Sequence, residues 1–318
     1  MFHKAVRPLI RFRIREVLKM TDVYTLAMLG FYTLLAILFY PLVESAMELI
    51  YLNISIAIGV ISIATVEEKM NAGRIFTIFR RIYIIPVIYL IYSQVQYYIP
   101  VINPHNYDKL LMDLDIALFG LNPTEWLHQF AHPILTEYLQ FTYMLFFFMP
   151  LVHALELHYE GDNKRFGEFT RIIMFGFYFS YLLYFFMPAI GPRFTIHNFF
   201  NINSELPGLL LTNLFRDFVN MGGNVLPGES NPMDTVNRDC MPSGHTMITF
   251  ITIIMVFRHD SRFKWPILVF GISLIFSTVY LWYHYVIDII AGIVFAIVAL
   301  YLEPVIRNYV KSKGYINA

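Results

Sequence analysis

Two ionisable residues interrupt apolar stretches in the C-terminal third of the chain, and they are the first candidates for chemistry. His245 lies in the segment 241–245, which reads MPSGH, and Asp288 follows His284 by four residues in HYVID. An ionisable side chain inside an apolar span is costly and marks a functional site by default. Because residues four apart share one helix face, the Asp288 carboxylate can accept a hydrogen bond from the His284 imidazole, fix its tautomer and raise its basicity.

The segment around His245 also predicts an anion site. Proline suits the first helical position, so the backbone N–H groups of Ser243 and Gly244 should be unsatisfied at a helix start and attract an anion. Arg193, in the sequence GPRF, adds a guanidinium at the end of another apolar stretch. Phosphoryl chemistry needs donors for phosphate oxygens, a nucleophile and an acid for the leaving oxygen. We assign Arg193 and the two amides to the first role, His284 to the second and His245 to the third, with no metal or cofactor required.

Two further carboxylates are candidates for substrate contacts. Asp115 could touch a polar headgroup, although an Asp before an amphipathic turn is as often a helix cap. Asp239 precedes the MPSGH segment and could orient that loop or contact an acceptor, with capping of the following helix as the simpler alternative.

The composition places these residues in a membrane protein. Of 318 residues, 57% are hydrophobic and 14% are charged, and the mean hydropathy is +0.56, far from the values of a soluble domain. The 23 Lys and Arg balance the 23 Asp and Glu, which excludes a basic nucleic-acid-binding protein. A single cysteine, Cys240, excludes an internal disulfide framework.

Apolar stretches long enough to cross a bilayer predict an all-α bundle of eight transmembrane helices. Six stretches are free of charge, and two contain His245 or Asp288 near their start. The predicted spans are 25–43, 49–66, 82–102, 138–155, 172–192, 240–257, 265–283 and 285–302. Helices at 123–132 and 209–219 are expected to lie along the outer interface, because their apolar residues recur at helical spacing.

The distribution of Lys and Arg predicts the orientation. With eight spans, all but four of these cations fall on the face that carries both termini, which is therefore cytoplasmic. The exceptions are Lys109, Arg193, Arg216 and Arg238. Because successive spans reverse direction, His245, His284 and Arg193 come to the same outer face. We divide the chain into a basic arm (1–24), two accessory helices (25–80), a catalytic membrane domain (81–305) and a cytoplasmic tail (306–318).

The paired motifs resemble the type 2 phosphatidic acid phosphatase superfamily of membrane lipid phosphatases and phosphotransferases. PSGH at 242–245 and His284-x3-Asp288 have the order and separation of that family's motifs. Two cations of the family pattern are missing: Thr278 stands where an Arg is expected, and Phe186 stands where a Lys is expected. Fewer cations suit a singly charged phosphodiester better than a doubly charged monoester.

A finer resemblance connects the chain to the inositol phosphorylceramide synthase branch. The segment 115–120, DIALFG, with Pro123, Trp126 and the GPR sequence, is similar to that branch, and sphingomyelin synthases likewise lack the two cations. The resemblance implies that His284 takes a covalent phosphoryl group, that Asp288 supports it, and that His245 protonates the leaving alkoxide and later deprotonates the acceptor. It implies a membrane phospholipid and a lipid acceptor as partners. The absence of disulfides and the short loops favour a bacterial inner membrane, and the distribution of Lys and Arg predicts that the site faces the periplasm or a lumen.

Three alternatives remain open at this point. The enzyme could hydrolyse a lipid phosphate such as phosphatidic acid or an isoprenyl pyrophosphate. The chain could be a non-catalytic lipid-binding or transport protein, although no paired broken helices indicate a transporter repeat. A single His or Asp in a membrane helix could also only lock two helices together by a hydrogen bond. The oligomeric state does not follow from the sequence.

Overall fold

The computed structural model describes residues 17–69 and 73–314, and within them the secondary structure is helical without any strand. The α-helices of this part are α1 Met20–Leu38, α2 Ala46–Lys69, α3 Arg74–Ile82, α4 Ile84–Tyr92, α5 Val95–Ile102, α6 Asp108–Phe119, α7 Pro123–His128, α8 Pro133–Met144, α9 Phe148–Tyr159, α10 Asn163–Leu183, α11 Pro192–Thr195, α12 Ile202–Glu205, α13 Thr212–Gly222, α14 Pro232–Thr235, α15 Gly244–Arg258, α16 Lys264–Tyr280 and α17 Val286–Ser312. A 3-10 turn covers Phe199–Asn201. Most of the predicted basic arm, residues 1–16, lies outside the described residues.

The described helices confirm an integral membrane protein but not the count of eight spans. Four helical runs are long and apolar enough to cross a bilayer: Met20–Leu38, Ala46–Glu68, Ile75–Ile102 and Val286–Ser312. A fifth is added if α8 and α9, which meet at a bend of 48°, form one span. The apolar helices α15 and α16 have 15 and 17 residues, which at 1.5 Å per residue is less than the roughly 30 Å of hydrocarbon.

Helix α15 starts late and helix α16 ends early for local reasons. The Ser243 hydroxyl accepts a hydrogen bond from the Thr246 amide (3.2 Å) and caps α15, so the helix begins at Gly244 rather than at residue 240. Helix α16 ends at Tyr280, and the non-helical segment 281–285 connects it to α17. In that segment Trp282 adopts a left-handed conformation (φ 67°), which turns the chain and presents His284 at the start of α17.

Two hydrophobic clusters hold the bundle together. The first joins α1, α2, α4 and α5 to the buried residues Met174, Tyr178 and Tyr181 of α10. The second packs α9 and α10 against α15, α16 and α17. Because α10 contributes to both clusters, the two N-terminal helices pack directly on the C-terminal part, and the domain boundaries at 25–80 and 81–305 stay a prediction.

Helices α15 and α17 cross so closely that their main-chain atoms are in contact. A Cβ added to Gly292 of α17 would lie 2.8 Å from the carbonyl oxygen of Ser243, so only glycine permits this approach. The Ser243 amide donates to the Asp288 carbonyl (3.0 Å) at the same crossing. These contacts bring the starts of the two helices, and therefore His245 and Asp288, to the same end of the bundle.

Short helices cover that end. Helices α6 and α7 and the start of α8 fill residues 108–137, and α11 to α14 fill most of residues 192–235. The predicted interfacial helices at 123–132 and 209–219 correspond to α7 and α13. Helix α13 exposes Leu214 (62%) and Phe218 (53%) on one side, while Arg216 on the other side is only 2% exposed. An apolar outward face is typical of a helix that lies at a membrane surface.

Candidate active site

His284 and Asp288 form a buried pair at the start of α17. The Nδ1 atom of His284 lies 3.4 Å from Asp288 Oδ2, and the same oxygen accepts a hydrogen bond from the Tyr285 amide (2.9 Å). Cys240 also contacts the pair, with its Sγ 3.0 Å from Asp288 Oδ2 and 3.4 Å from His284 Nδ1. Since Nδ1 faces the carboxylate, Nε2 of His284 is the nitrogen left for a substrate.

His245 lies opposite this pair, in the first turn of α15. Its ring centroid is 6.0 Å from that of His284. The ring of Tyr143 stacks on His245 at 4.5 Å, and the Tyr143 hydroxyl is 3.4 Å from His245 Nδ1. Phe146 packs against the other side, with ring centroids 4.3 Å apart. The imidazole is thereby held between aromatic rings of the α8–α9 region, close enough to His284 for both to reach one phosphoryl group.

Arg193 joins the site from α11 through Tyr283. Its amide donates to the Trp282 carbonyl (2.9 Å), and its guanidinium carbon is 5.1 Å from the centroid of the Tyr283 ring, which in turn is 4.6 Å from that of Tyr143. Arg193 Nη1 donates to Asn220 Oδ1 (2.7 Å). Burial lowers the pKa of Arg193, while Tyr283 and neighbouring acidic groups act in the opposite direction. The guanidinium is 6% exposed and held in place by its neighbours.

A second guanidinium, Arg216 of α13, lies close to Arg193. Arg216 donates to Asn203 and to the Leu206 carbonyl, while its Nε has no hydrogen-bond partner among residues 17–69 and 73–314. It is close enough to Arg193 for their charges to interact, and burial lowers the pKa of Arg216. A cavity of about 490 Å³ adjoins it. Its polar lining residues are Asn203, Arg216, Asp217, Asn220, Glu229 and Ser230.

The Ser243 amide, which we expected to be free, already has an acceptor within the protein, whereas the phosphate contact of the Gly244 amide stays a prediction. We expected both to bind phosphate oxygens, but Ser243 N–H is occupied by the Asp288 carbonyl and the Ser243 hydroxyl caps α15. The reason is the close crossing of α15 and α17, which brings a main-chain acceptor to the Ser243 amide. The amide of Gly244, as the first residue of the helix, has no acceptor within α15.

The two remaining candidate carboxylates make contacts with the protein. Asp115 accepts hydrogen bonds from the amides of Val286 and Ile287 (both 2.8 Å) and so caps α17, which is the alternative weighed from the sequence. Burial raises the pKa of Asp115, and these two amides oppose that shift. Asp239 does not cap α15, a role taken by Ser243; it accepts a hydrogen bond from the Tyr92 hydroxyl (2.6 Å) instead.

Neither of the positions that depart from the family pattern points a polar group into the site. Thr278 is fully buried, and its hydroxyl donates to the Ile275 carbonyl (2.7 Å). Its own carbonyl accepts from the amides of Tyr283 and His284 (both 2.9 Å), so its backbone supports the loop that carries His284. Phe186 is 71% exposed and faces away from the protein interior.

Sequence reasoning missed four residues of the site: Tyr143, Tyr283, Arg216 and the role of Cys240. The two tyrosines are invisible among 22 tyrosines, because only the tertiary fold brings them to the histidines. Arg216 carried a usable signal, since it is one of only four cations on the predicted outer face. The sulfur contacts of Cys240 with His284 and Asp288 could not be inferred from the spacing of the residues.

Comparison with protein families identifies the superfamily to which the chain belongs. Comparison with curated proteins gave no significant match, and comparison with solved structures gave none either. The sequence profile of the PAP2 superfamily matches residues 109–302, more than half of the chain, and this range includes α6 to α17 almost completely. It contains His245, His284, Asp288 and Arg193. PAP2 proteins are generally lipid phosphatases or phosphotransferases, and this chain belongs to the PAP2 superfamily.

Proposed function

We propose that this protein is a membrane lipid phosphotransferase that moves a phosphorylated headgroup, similar to inositol phosphate, between lipids through a phosphohistidine intermediate. The single observation that carries the proposal is the pair of imidazoles, with ring centroids 6.0 Å apart, of which only His284 is backed by a carboxylate. Two histidines with different partners suit two different roles, nucleophile and proton carrier.

In the first half-reaction His284 Nε2 attacks the phosphorus of a phosphodiester lipid. The N–P bond forms while the bond from phosphorus to the lipid oxygen breaks, and protonated His245 gives its proton to the departing alkoxide. Asp288 accepts the hydrogen bond from His284 Nδ1–H and stabilises the positive charge that the ring acquires. Arg193 and the Gly244 amide donate hydrogen bonds to the phosphate oxygens and stabilise their negative charge.

In the second half-reaction the neutral His245 takes a proton from the acceptor hydroxyl. The acceptor oxygen attacks phosphorus, the N–P bond breaks, and His284 is regenerated. The same proton carrier serves both halves, first as acid and then as base, so no metal is needed to activate the acceptor.

The cavity beside Arg216 supports transfer of a polyhydroxylated headgroup. Asn220 belongs to the cavity wall and also binds Arg193, so a group esterified to a phosphate at Arg193 would extend directly into the cavity. Its lining of amides, carboxylates, one hydroxyl and one guanidinium offers both donors and acceptors, which suits a polyol rather than an acyl chain.

The decisive experiment uses purified protein in liposomes with labelled phosphatidylinositol, with and without ceramide as acceptor. We expect a labelled product only when the acceptor is present, and an acid-labile phosphate on the protein. His284→Ala should abolish both the product and the protein label. His245→Ala should slow turnover about 10²–10⁴-fold, the usual contribution of a general acid or base.

The matched control is His105→Ala, because His105 is an exposed histidine outside the motifs of the site. It should retain full turnover. Release of phosphate or inositol phosphate without an acceptor would instead establish hydrolysis, the alternative PAP2 reaction. Unchanged turnover in both His284→Ala and His245→Ala proteins would contradict the enzymatic proposal and favour a non-catalytic lipid-binding role.

We further propose that the site faces the periplasm or a lumen, in a bacterial inner membrane with both termini in the cytoplasm. The asymmetry of Lys and Arg supports this orientation. A cysteine placed at an exposed outer residue such as Leu210 (89% exposed), in a background where Cys240 is serine, should react with an impermeant maleimide added to intact cells. Labelling only after lysis would contradict it.

A further inference from the structure

We propose that Cys240, His284 and Asp288 form a binding site for a zinc ion, and that zinc bound there switches off the nucleophile. These three residues offer a sulfur, an imidazole nitrogen and a carboxylate oxygen, all within 4.8 Å of one another. Thiolate, imidazole and carboxylate are the three ligand types that zinc prefers in proteins. Metal binding by these three residues does not depend on the proposed function, whereas the inhibition by zinc rests on the proposed function.

The distances among the three ligand atoms suit zinc. Cys240 Sγ, His284 Nδ1 and Asp288 Oδ2 form a triangle with sides of 3.0, 3.4 and 3.4 Å. Zinc bonds of about 2.0–2.3 Å in a tetrahedron require ligand atoms roughly 3.3–3.7 Å apart. An ion slightly outside the plane of the triangle therefore reaches all three atoms after shifts of a few tenths of an ångström, and its fourth position remains open to water.

A second observation, the burial of the Asp288 carboxylate, supports the binding of a cation. Asp288 is completely buried, yet its Oδ1 atom has no hydrogen-bond partner within the described residues. Within the same residues, the one positively chargeable side chain within 4.0 Å of the carboxylate is His284. A buried carboxylate is costly, and a divalent cation bound at Oδ2 would compensate the negative charge that Oδ1 and Oδ2 share.

The site is also held in the ligating geometry by its surroundings. The Tyr285 amide fixes Asp288 Oδ2 (2.9 Å), and the Cys240 amide donates to the Ala189 carbonyl (3.1 Å). The Cys240 Sγ also lies 3.4 Å from the Tyr283 carbonyl oxygen, a contact that restrains the rotation of the thiol. Preorganised ligands lose little conformational freedom when the metal binds.

Zinc at His284 Nδ1 would inhibit by a change of tautomer. A neutral imidazole has one N–H and one lone pair, and nucleophilic attack by Nε2 requires the proton on Nδ1. When zinc occupies Nδ1, the ring proton moves through solvent to Nε2, and the Cys240 thiol releases its proton to the buffer as it becomes a ligand. Nε2 then has no lone pair for phosphorus.

The test uses cobalt(II) as a spectroscopic substitute for zinc, added to the full-length, chelator-treated protein in detergent. We expect one cobalt per chain and a sulfur-to-cobalt charge-transfer band in the near ultraviolet, which zinc displaces. Cys240→Ser should remove the band and weaken zinc binding by more than about 100-fold, since even changes next to metal ligands cost 10–100-fold. If that protein does not accumulate, Cys240→Ala serves the same purpose.

His105→Ala controls for binding by an exposed histidine and should leave the band unchanged. A wild-type protein that shows no charge-transfer band at saturating cobalt overturns the proposed site, whether or not turnover is found. If the protein is active, zinc should inhibit it, and the inhibitory concentration should rise at least 100-fold in Cys240→Ser relative to that variant's own metal-free rate. Equal inhibition of both proteins would overturn the switch.

Discussion

Replacing Gly244 by alanine tests the placement of His245 through a single methyl group. Gly244 is the first residue of α15, and a Cβ there would lie 2.3 Å from the hydroxyl oxygen of Tyr184. An ordinary carbon–oxygen contact is about 1 Å longer than this, so either α15 or Tyr184 must move. Alanine favours a helix over glycine by about 0.5–1 kcal/mol, whereas overpacking costs about 1–3 kcal/mol, so the net effect should be destabilising.

The larger effect should be on turnover. His245 follows Gly244 directly, and a displacement of about 1 Å in a catalytic group can cost 10²-fold in rate. We therefore expect Gly244→Ala to lower kcat about 10²-fold in the liposome transfer assay and to lower the melting temperature in detergent by a few degrees. Gly59→Ala in α2 is the control, because an added Cβ there has nothing within 4 Å.

The Tyr184 hydroxyl is the only atom closer than 3.6 Å to that Cβ, so removing it should relieve the clash. In a protein that combines Gly244→Ala with Tyr184→Phe, the nearest atom is the ring carbon at 3.6 Å, an ordinary contact. We expect the double variant to recover most of the lost kcat and stability, compared with Tyr184→Phe alone. Full turnover of Gly244→Ala, or no recovery in the double variant, would refute the packing argument.

Three further changes test the support of the site. Asp115→Ala removes both acceptors from the amides at the start of α17 and should lower the free energy of unfolding in denaturant by about 2–4 kcal/mol. Asp113→Ala, at an exposed residue, is the control and should change the free energy of unfolding by less than about 0.5 kcal/mol. Equal losses in the two variants would contradict the capping role. Burial, with a smaller effect of a neighbouring imidazole, lowers the pKa of His197 to about 4. As the pH falls from about 6.5 to 4, the unfolded chain therefore binds a proton that the folded protein does not, and stability should decrease by less than about 1.4 kcal/mol per pH unit. The variant His197→Gln should show a smaller decrease in melting temperature over the same pH range. Gly191→Ala should fail to fold or lose activity, because Gly191 has φ 95° and its Cβ would lie 2.7 Å from a backbone carbonyl oxygen; a stable and active protein would show that this loop is free to move.

The spacing of residues sufficed to predict the helical fold and the two principal motifs. Each predicted apolar stretch lies on one or more observed helices, because long runs without charge have few alternatives to a helix in a membrane. The contact between His284 and Asp288 is local, so it could be predicted from the sequence, although His284 lies in the non-helical segment 281–285 and the two residues do not share a helix face. The lengths of α15 and α16 could not, because they depend on a serine cap and on the left-handed turn at Trp282.

Long-range contacts set the limit of the sequence prediction. Nothing in the chain near Ser243 shows that its amide is used by Asp288, 45 residues later, since the contact depends on Gly292 allowing two helices to meet. The proximity of Arg216 to Arg193 is also a long-range contact, because it requires α13 to fold back over α11. The sequence alone shows Phe186 and Thr278 where the resemblance leads us to expect cations, but the proximity of Arg216 to Arg193 depends on the tertiary structure.

The main-chain contact between Ser243 and Asp288 has a consequence for how a bulky lipid enters and leaves. It ties the start of α15, where the proton carrier His245 lies, to the first turn of α17, just after the nucleophile His284. We therefore expect the opening to occur elsewhere, in the short helices between residues 192 and 235 that cover this end of the bundle. We expect turnover to be limited by the movement of this cover, while the reacting groups below it keep a constant separation.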